Sequence, residues 1–325
     1  MRHEVSELAD ASLKPWIVRV TRAEIEQLSP ETLAFLEYRD PRDQETVRKM
    51  SAGRPTFGGA GSGAWGTRLI SWRQHEIIYN ASEDKDLFTI PGTDRLHTPA
   101  SVLGANAPAN HEALLGAMRR ARFWPVYEGK LIEQYRVGIK PVRWWLSLAQ
   151  TEAKYGRTPR EQPTLVFRET ASNTNQRTCI AAVVPAGAAA SHTCTAADFE
   201  NLRSEAALTV LNSLCFDYLL RLRSAGTHVS FTYILPVAVL PASQVKTLPH
   251  IPTRFAPAAG IAHISHDLSA WPHLWAADRA VAEAYGLGPQ EFGHILETFT
   301  VWLRKRPGIA EFYRARVAKW TAGRT

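Results

Sequence analysis

Two short apolar runs face each other across a polar turn at residues 165–185, LVFRETASNTNQRTCIAAVVP. Residues 165–167 and 179–184 are short, apolar and rich in β-branched side chains, the signature of buried strands bounded by turn residues. Arg168, Asn173, Thr174, Asn175, Gln176, Arg177 and Thr178 crowd the eleven positions between them. A turn so loaded with donors and acceptors suits a surface that reads a polar partner. It also suits a plain hairpin, in which Asn, Thr and Ser side chains bond the nearby backbone.

The chain's 325 residues are long enough for a substantial core and for two or three compact regions. Lys and Arg number 38 against 31 Asp and Glu, a formal charge of +7 that favours a polyanionic partner. No run of eighteen or more apolar residues appears, and residues 1–10 lack the apolar centre of a signal peptide, so the expectation is a cytoplasmic protein with no membrane partner. The cysteines, Cys179, Cys194 and Cys215, are odd in number and far apart, which excludes a disulfide framework and a four-cysteine zinc site and leaves buried thiols.

Residues 123–145, FWPVYEGKLIEQYRVGIKPVRWW, interleave cations with aromatic rings. Lys130, Arg136, Lys140 and Arg143 would neutralise phosphates while Trp124, Tyr127, Tyr135, Trp144 and Trp145 offer stacking surface; a strand pair with a basic outer face has the same composition. Glu128-Gly129-Lys130 matches half of a magnesium-dependent nuclease core, which needs a second carboxylate on an adjacent strand. Asp94 is the nearest upstream carboxylate outside the acidic turn, in a loop-like Pro/Gly setting. Gly61, Gly63 and Gly66 satisfy a G-x-G-x-x-G spacing, yet residues 67–72 alternate as a strand where a nucleotide loop would open a helix. A flexible glycine turn is expected there.

Elsewhere, Thr21 with Glu24 reads as a helix cap, and Asp43 as the cap of a helix ending near Met50. Glu83, Asp84 and Asp86 read as a solvated turn shaped by Asn80 and Ser82, and residues 94–108 as a loop. Residues 199–223 read as one amphipathic helix, residues 227–236 as a strand, residues 237–260 as an irregular connection, and residues 274–316 as helical. His263 and His266 lie three apart without the glutamate or cysteines of a zinc site, so a solvated or capping role is expected. His228 faces either a DNA partner or its own turn.

Several of these words resemble the C-terminal half of the large adenine-N6 DNA methyltransferases, including fused type IIG restriction-methylation enzymes and phage-exclusion methyltransferases. Arg168, Ala171, Thr174, Asn175, Arg177, Thr178, Ile180, Ala181 and Pro185 fall on that family's F-R-x-x-A-x-x-T-N-x-R-T-x-I-A-A-x-x-P segment. The word at Pro125–Lys130 continues through Gln134 and Tyr135, although Arg136 and Val137 stand where the family has aspartate and histidine. Leu211, Asn212, Ser213, Asp217, Tyr218, Leu220 and Arg221 match a helical word, and Asp278, Ala282, Tyr285, Gly286, Leu287 and Glu291 a terminal one, with Ala276 in place of a usual glutamate. The Asp/Asn-Pro-Pro-Tyr/Phe motif that grips a flipped-out adenine is absent from the chain.

The resemblance implies an α+β fold: a mixed-sheet target-recognition domain followed by a C-terminal helical region. The expected division is a linker with strand and helix over 1–110, recognition over 111–260 and helices over 261–325. It further implies sequence-specific binding of double-stranded DNA with no catalytic, cofactor or metal site in this chain, S-adenosylmethionine being carried by a separate catalytic chain or a missing N-terminal part. The DNA contacts expected are Lys130, Arg136, Lys140, Arg143, Arg168, Asn173, Asn175 and Arg177, with Asn173, Asn175 and Arg177 nearest to base edges. A self-contained magnesium-dependent nuclease and a non-catalytic protein-interaction subunit are the alternatives.

Overall fold

The computed structural model describes residues 18–29, 35–171, 175–224, 226–251 and 263–323. Helix α1 (Arg22–Leu28) begins where Thr21 Oγ1 accepts from Glu24 N at 3.2 Å, as the sequence predicts. Helix α2 (Pro41–Ser51) begins earlier than its sequence suggested. Asp40 is the cap, and Asp43 reaches back to Asp40 N at 3.0 Å, because Pro41 supplies a fixed φ for the first helical position.

After the glycine turn come β1 (Thr67–Ile70) and β2 (Ile78–Tyr79), then α3 (His111–Arg120), β3 (Phe123–Tyr127), the ribbon of β4 (Ile132–Glu133) and β5 (Arg136–Val137), β6 (Trp144–Ser147) and α4 (Leu148–Tyr155). The apolar runs flanking the polar turn become β7 (Thr164–Arg168) and β8 (Ala181–Val184), which pair antiparallel with Phe167 opposite Ala181. Strands β9 (Ala189–Ser191) and β10 (Cys194–Phe199) follow, then α5 (Ser204–Leu211) and α6 (Leu214–Arg221). Four helices close the order: α7 (Trp271–Ala284), α8 (Pro289–Thr298), α9 (Thr300–Lys305) and α10 (Pro307–Thr321).

The fold is α+β, with an antiparallel sheet ordered β1-β10-β7-β8 and a mixed sheet ordered β2-β9-β3-β6 in which β9 runs parallel to both β2 and β3. Alternation along β7 explains the layering. Leu165 and Phe167 enter the core shared with the helices, whereas Val166 points the other way, into the core between the sheets with Ile78 and Tyr127. Covering both faces is why these strands read as unbroken apolar runs. Trp124, Val126 and Leu146 fill a third cluster on the far face of the mixed sheet.

The helix-side core draws Leu28 and Met50, Phe167 and Phe216, and Tyr285 and Phe299 into one cluster, so the three regions expected from the sequence share a single interior. All three thiols are buried, and among the described residues no helix is long and apolar enough to cross a membrane.

Several local expectations are corrected. Residues 199–223 do not form one amphipathic helix: Phe199 ends β10, and α5 and α6 are broken at Asn212 and Ser213, with every residue of α6 buried. Ser213 Oγ caps α6 by accepting from Phe216 N at 3.1 Å. Residues 231–234 form a helical turn in place of a strand, and residues 99–103 and 242–245 are short helices where loop was expected. Asp84 is not solvated. It is fully buried and accepts from Asn80 N at 2.7 Å and from the Tyr155 hydroxyl, while Asn80 and Ser82 keep the expected Asx turn at 2.9 Å.

Candidate functional site

The words that carry the family resemblance meet around one guanidinium. Arg177, at the end of the polar turn, donates from Nε to Asp217 Oδ2 at 2.6 Å, from Nη2 to the Asn212 carbonyl at 2.7 Å and from Nη1 to Gln134 Oε1 at 3.2 Å. Its plane lies over the Phe299 ring, 5.4 Å from the centroid. Asp217 also accepts from Thr178 N at 3.1 Å and from Arg221 Nε at 3.3 Å. Asp278 joins the helices behind it, accepting from Leu214 N at 2.7 Å and from the Tyr313 hydroxyl at 2.6 Å. Burial pushes the Asp278 carboxyl above its ordinary range despite the pull of Arg177.

This geometry corrects the leading expectation. Arg177 is 4% exposed and its fork is committed to Asp217, Asn212 and Gln134, so it fixes the turn and cannot reach a base edge from this position. Arg136 is corrected likewise: its side chain is fully buried, 2.5 Å from Asp267 Oδ2. Asn173 lies outside the described residues. Asn175 is exposed, and its carbonyl accepts from Arg221 Nη2 at 2.7 Å. Lys130 is exposed and pairs with Glu128 at 3.0 Å; Lys140 is exposed; Arg143 is exposed with its guanidinium 4.7 Å from the Trp144 ring centroid.

Arg168 is half-buried and donates from Nε to the Ile132 carbonyl at 2.8 Å. It lines a cleft of about 250 Å³ at the junction of β4, the polar turn and α9, together with Glu133, Asn175, Gln176, His263 and Lys305. The β4–β5 turn that presents Glu133 carries Tyr135 at φ 65°, a left-handed conformation uncommon for an aromatic residue. Tyr135 N donates to the Ala181 carbonyl at 3.0 Å, which holds the turn against β8.

Glu133 and His263 form the inner wall. Glu133 Oε1 accepts from Gln134 N at 3.0 Å, while Oε2 lies 3.7 Å from His263 Nε2 and 3.9 Å from Arg168 Nη2. Burial pushes the Glu133 carboxyl above its ordinary value, against the pull of Arg168, Arg177 and Arg306. Burial first, then the charge of Arg306, pushes the His263 imidazole down to about 3. Ser265 N donates to His263 Nδ1 at 3.1 Å, so the neutral ring carries its proton on Nε2, facing Glu133. The expected capping role of His263 is therefore present, joined to a second one in the cleft.

Glu133, Lys305 and His263 were not singled out by sequence reasoning as a set. Glu133 was hidden inside a matched word and His263 in a pair weighed only for zinc. The glycine turn opens directly into β1 rather than a helix, and Gly66 sits at φ 65° where an added Cβ would come within 2.7 Å of Glu200 Cβ, so these glycines serve the turn and do not suit S-adenosylmethionine or a dinucleotide. Gly129 is packed against Thr193, whose Oγ1 accepts from Gly129 N at 2.8 Å. Among the described residues no group of three or more His, Cys, Asp or Glu gathers to hold a metal ion. No family model and no curated protein matches the chain.

Proposed function

We propose that this chain is the part of an adenine-specific DNA methyltransferase or restriction-modification system that recognises double-stranded DNA, with the methyl donor and the adenine-gripping loop held by a catalytic partner. The observation that carries the reading is the convergence of three separate resembling words on one buried network, Arg177 from the polar turn, Gln134 from the β4–β5 word and Asn212 with Asp217 from the α5–α6 word, while Asp278 from the terminal word bonds Leu214 N of α6 and feels the charge of Arg177. Chance similarities scattered over the sequence have no reason to touch. The formal charge of +7 favours the same partner.

In this reading the network is a scaffold. Recognition falls to the exposed Asn175, Lys130, Lys140, Arg143 and Lys305, with Arg168 at the cleft held in place by the Ile132 carbonyl. Phosphate contacts set position and a small number of polar groups read bases. The test is binding of labelled duplex DNA to the purified chain across a salt series. Affinity that falls steeply with salt is expected, and a folded chain that ignores duplex at low ionic strength ends the proposal.

A further inference from the structure

We propose that the cleft between β4, the polar turn and α9 is a phosphoryl-binding site, built to take one tetrahedral oxyanion from either a DNA backbone or a free phosphomonoester. Only its DNA source rests on the proposed function; a free phosphomonoester would fill the site without it.

Charge points to an anion. Arg168 and Lys305 line the cleft, and Arg306 stands beside it, donating to Gln176 Oε1 at 2.9 Å. Arg177 is already matched by Asp217, which leaves Glu133 as the one carboxylate among the lining residues. Lys305 is exposed and makes no ion pair among the described residues. Size points to a group rather than a whole ligand. At about 250 Å³ the cleft falls short of the roughly 300 Å³ at which ordinary small-molecule pockets begin.

The inner wall supplies the second observation. Glu133 is 6% exposed, lines the cleft and makes no hydrogen bond through Oε2 among the described residues. In its neutral form this carboxyl donates, as does His263 Nε2–H. With Lys305 and the Arg168 Nη1 not taken by the Ile132 carbonyl, that gives the cleft four donor groups, enough to satisfy the oxygens of a tetrahedral oxyanion. Filling the cleft with a negative charge therefore draws a proton onto Glu133. The charged groups facing that carboxyl are Arg168 from β7, Arg177 from the polar turn, Arg306 beyond α9 and, once protonated, His263.

The test is calorimetric titration of the full chain with dimethyl phosphate, a diester that does not titrate near neutrality, and with a nucleoside 5′-monophosphate, both against chloride of matched ionic strength. Binding is expected. Lys305→Gln and Arg168→Gln should each weaken it about tenfold, the loss of one charge-assisted hydrogen bond. Wild-type affinity for the diester should rise as pH falls, because Glu133 is held above its ordinary value and must take up a proton to donate, and Glu133→Gln should flatten that dependence. Tighter diester binding assigns the site to a DNA backbone, tighter monoester binding to a free phosphomonoester.

No binding beyond the chloride control overturns the inference, as does binding indifferent to Lys305→Gln, an exposed change that leaves the interior intact. Duplex affinity measured on the same proteins keeps the two proposals apart. Duplex binding without small-phosphate binding removes the cleft alone, and the reverse removes the DNA reading alone.

Discussion

A guanidinium withdrawn from water must recover its lost hydration from fixed partners, and Arg177 does so through Asp217, Asn212 and Gln134. Removing it leaves a buried Asp217 with Arg221 and Thr178 N as its partners among the described residues, and leaves the Asn212 carbonyl without this donor. Arg177→Met should therefore destabilise the fold by about 3–5 kcal/mol, read from urea unfolding. Duplex affinity, measured where the variant is still folded, should change little. A variant of normal stability that has lost target preference would return Arg177 to the base edge. Sequence pattern could not foresee this burial: the partners that enclose Arg177 come from Asp217 and Phe299, far along the chain, and a polar turn looks the same in solvent as it does under a helix.

At the scale of elements, the join between α5 and α6 shows why a helix ends where its periodicity would continue. Asn212 Oδ1 accepts from Ala181 N at 3.0 Å and Nδ2 donates to the Ala181 carbonyl at 2.9 Å. One amide side chain thus imitates a neighbouring strand along β8, the edge of its sheet: it takes the Ala181 N–H and shares the Ala181 carbonyl with Tyr135 N. Asn212→Ala should cost about 1–3 kcal/mol for the Ala181 N–H left unsatisfied. Hydrogen exchange at the Ala181 amide should speed up with it, and protection equal to wild type would show that Asn212 is dispensable to the edge. The hairpin of β7 and β8 was legible because apolar runs of strand length have few other uses. The α5–α6 break was legible only in hindsight, from Asn and Ser, residues that favour caps over helix interiors. Residues 227–236 misled because alternation over so few positions fits a helical turn equally well.

For the whole molecule, the shared interior makes the exposed cations separable from stability. Lys130, Lys140 and Arg143 lie on the surface, so replacing all three with Gln should leave the unfolding midpoint near that of wild type. The slope of log affinity against log salt on random duplex should become shallower by about two to three if each meets a phosphate. An unchanged slope would place the duplex on another face. The architecture itself, sheets flanked by helices, could be read from the sequence; the cleft could not. Its walls come from residues as far apart as Glu133, Arg168, His263 and Lys305, and no local spacing records that meeting.

That dispersion has a consequence for when the protein becomes competent. Because the helix bearing Lys305 must dock before the pocket has both its sides, a chain still emerging from the ribosome carries every upstream polar group yet lacks a finished grip. The cleft is thus finished only after the residues through α9 have been made and have folded.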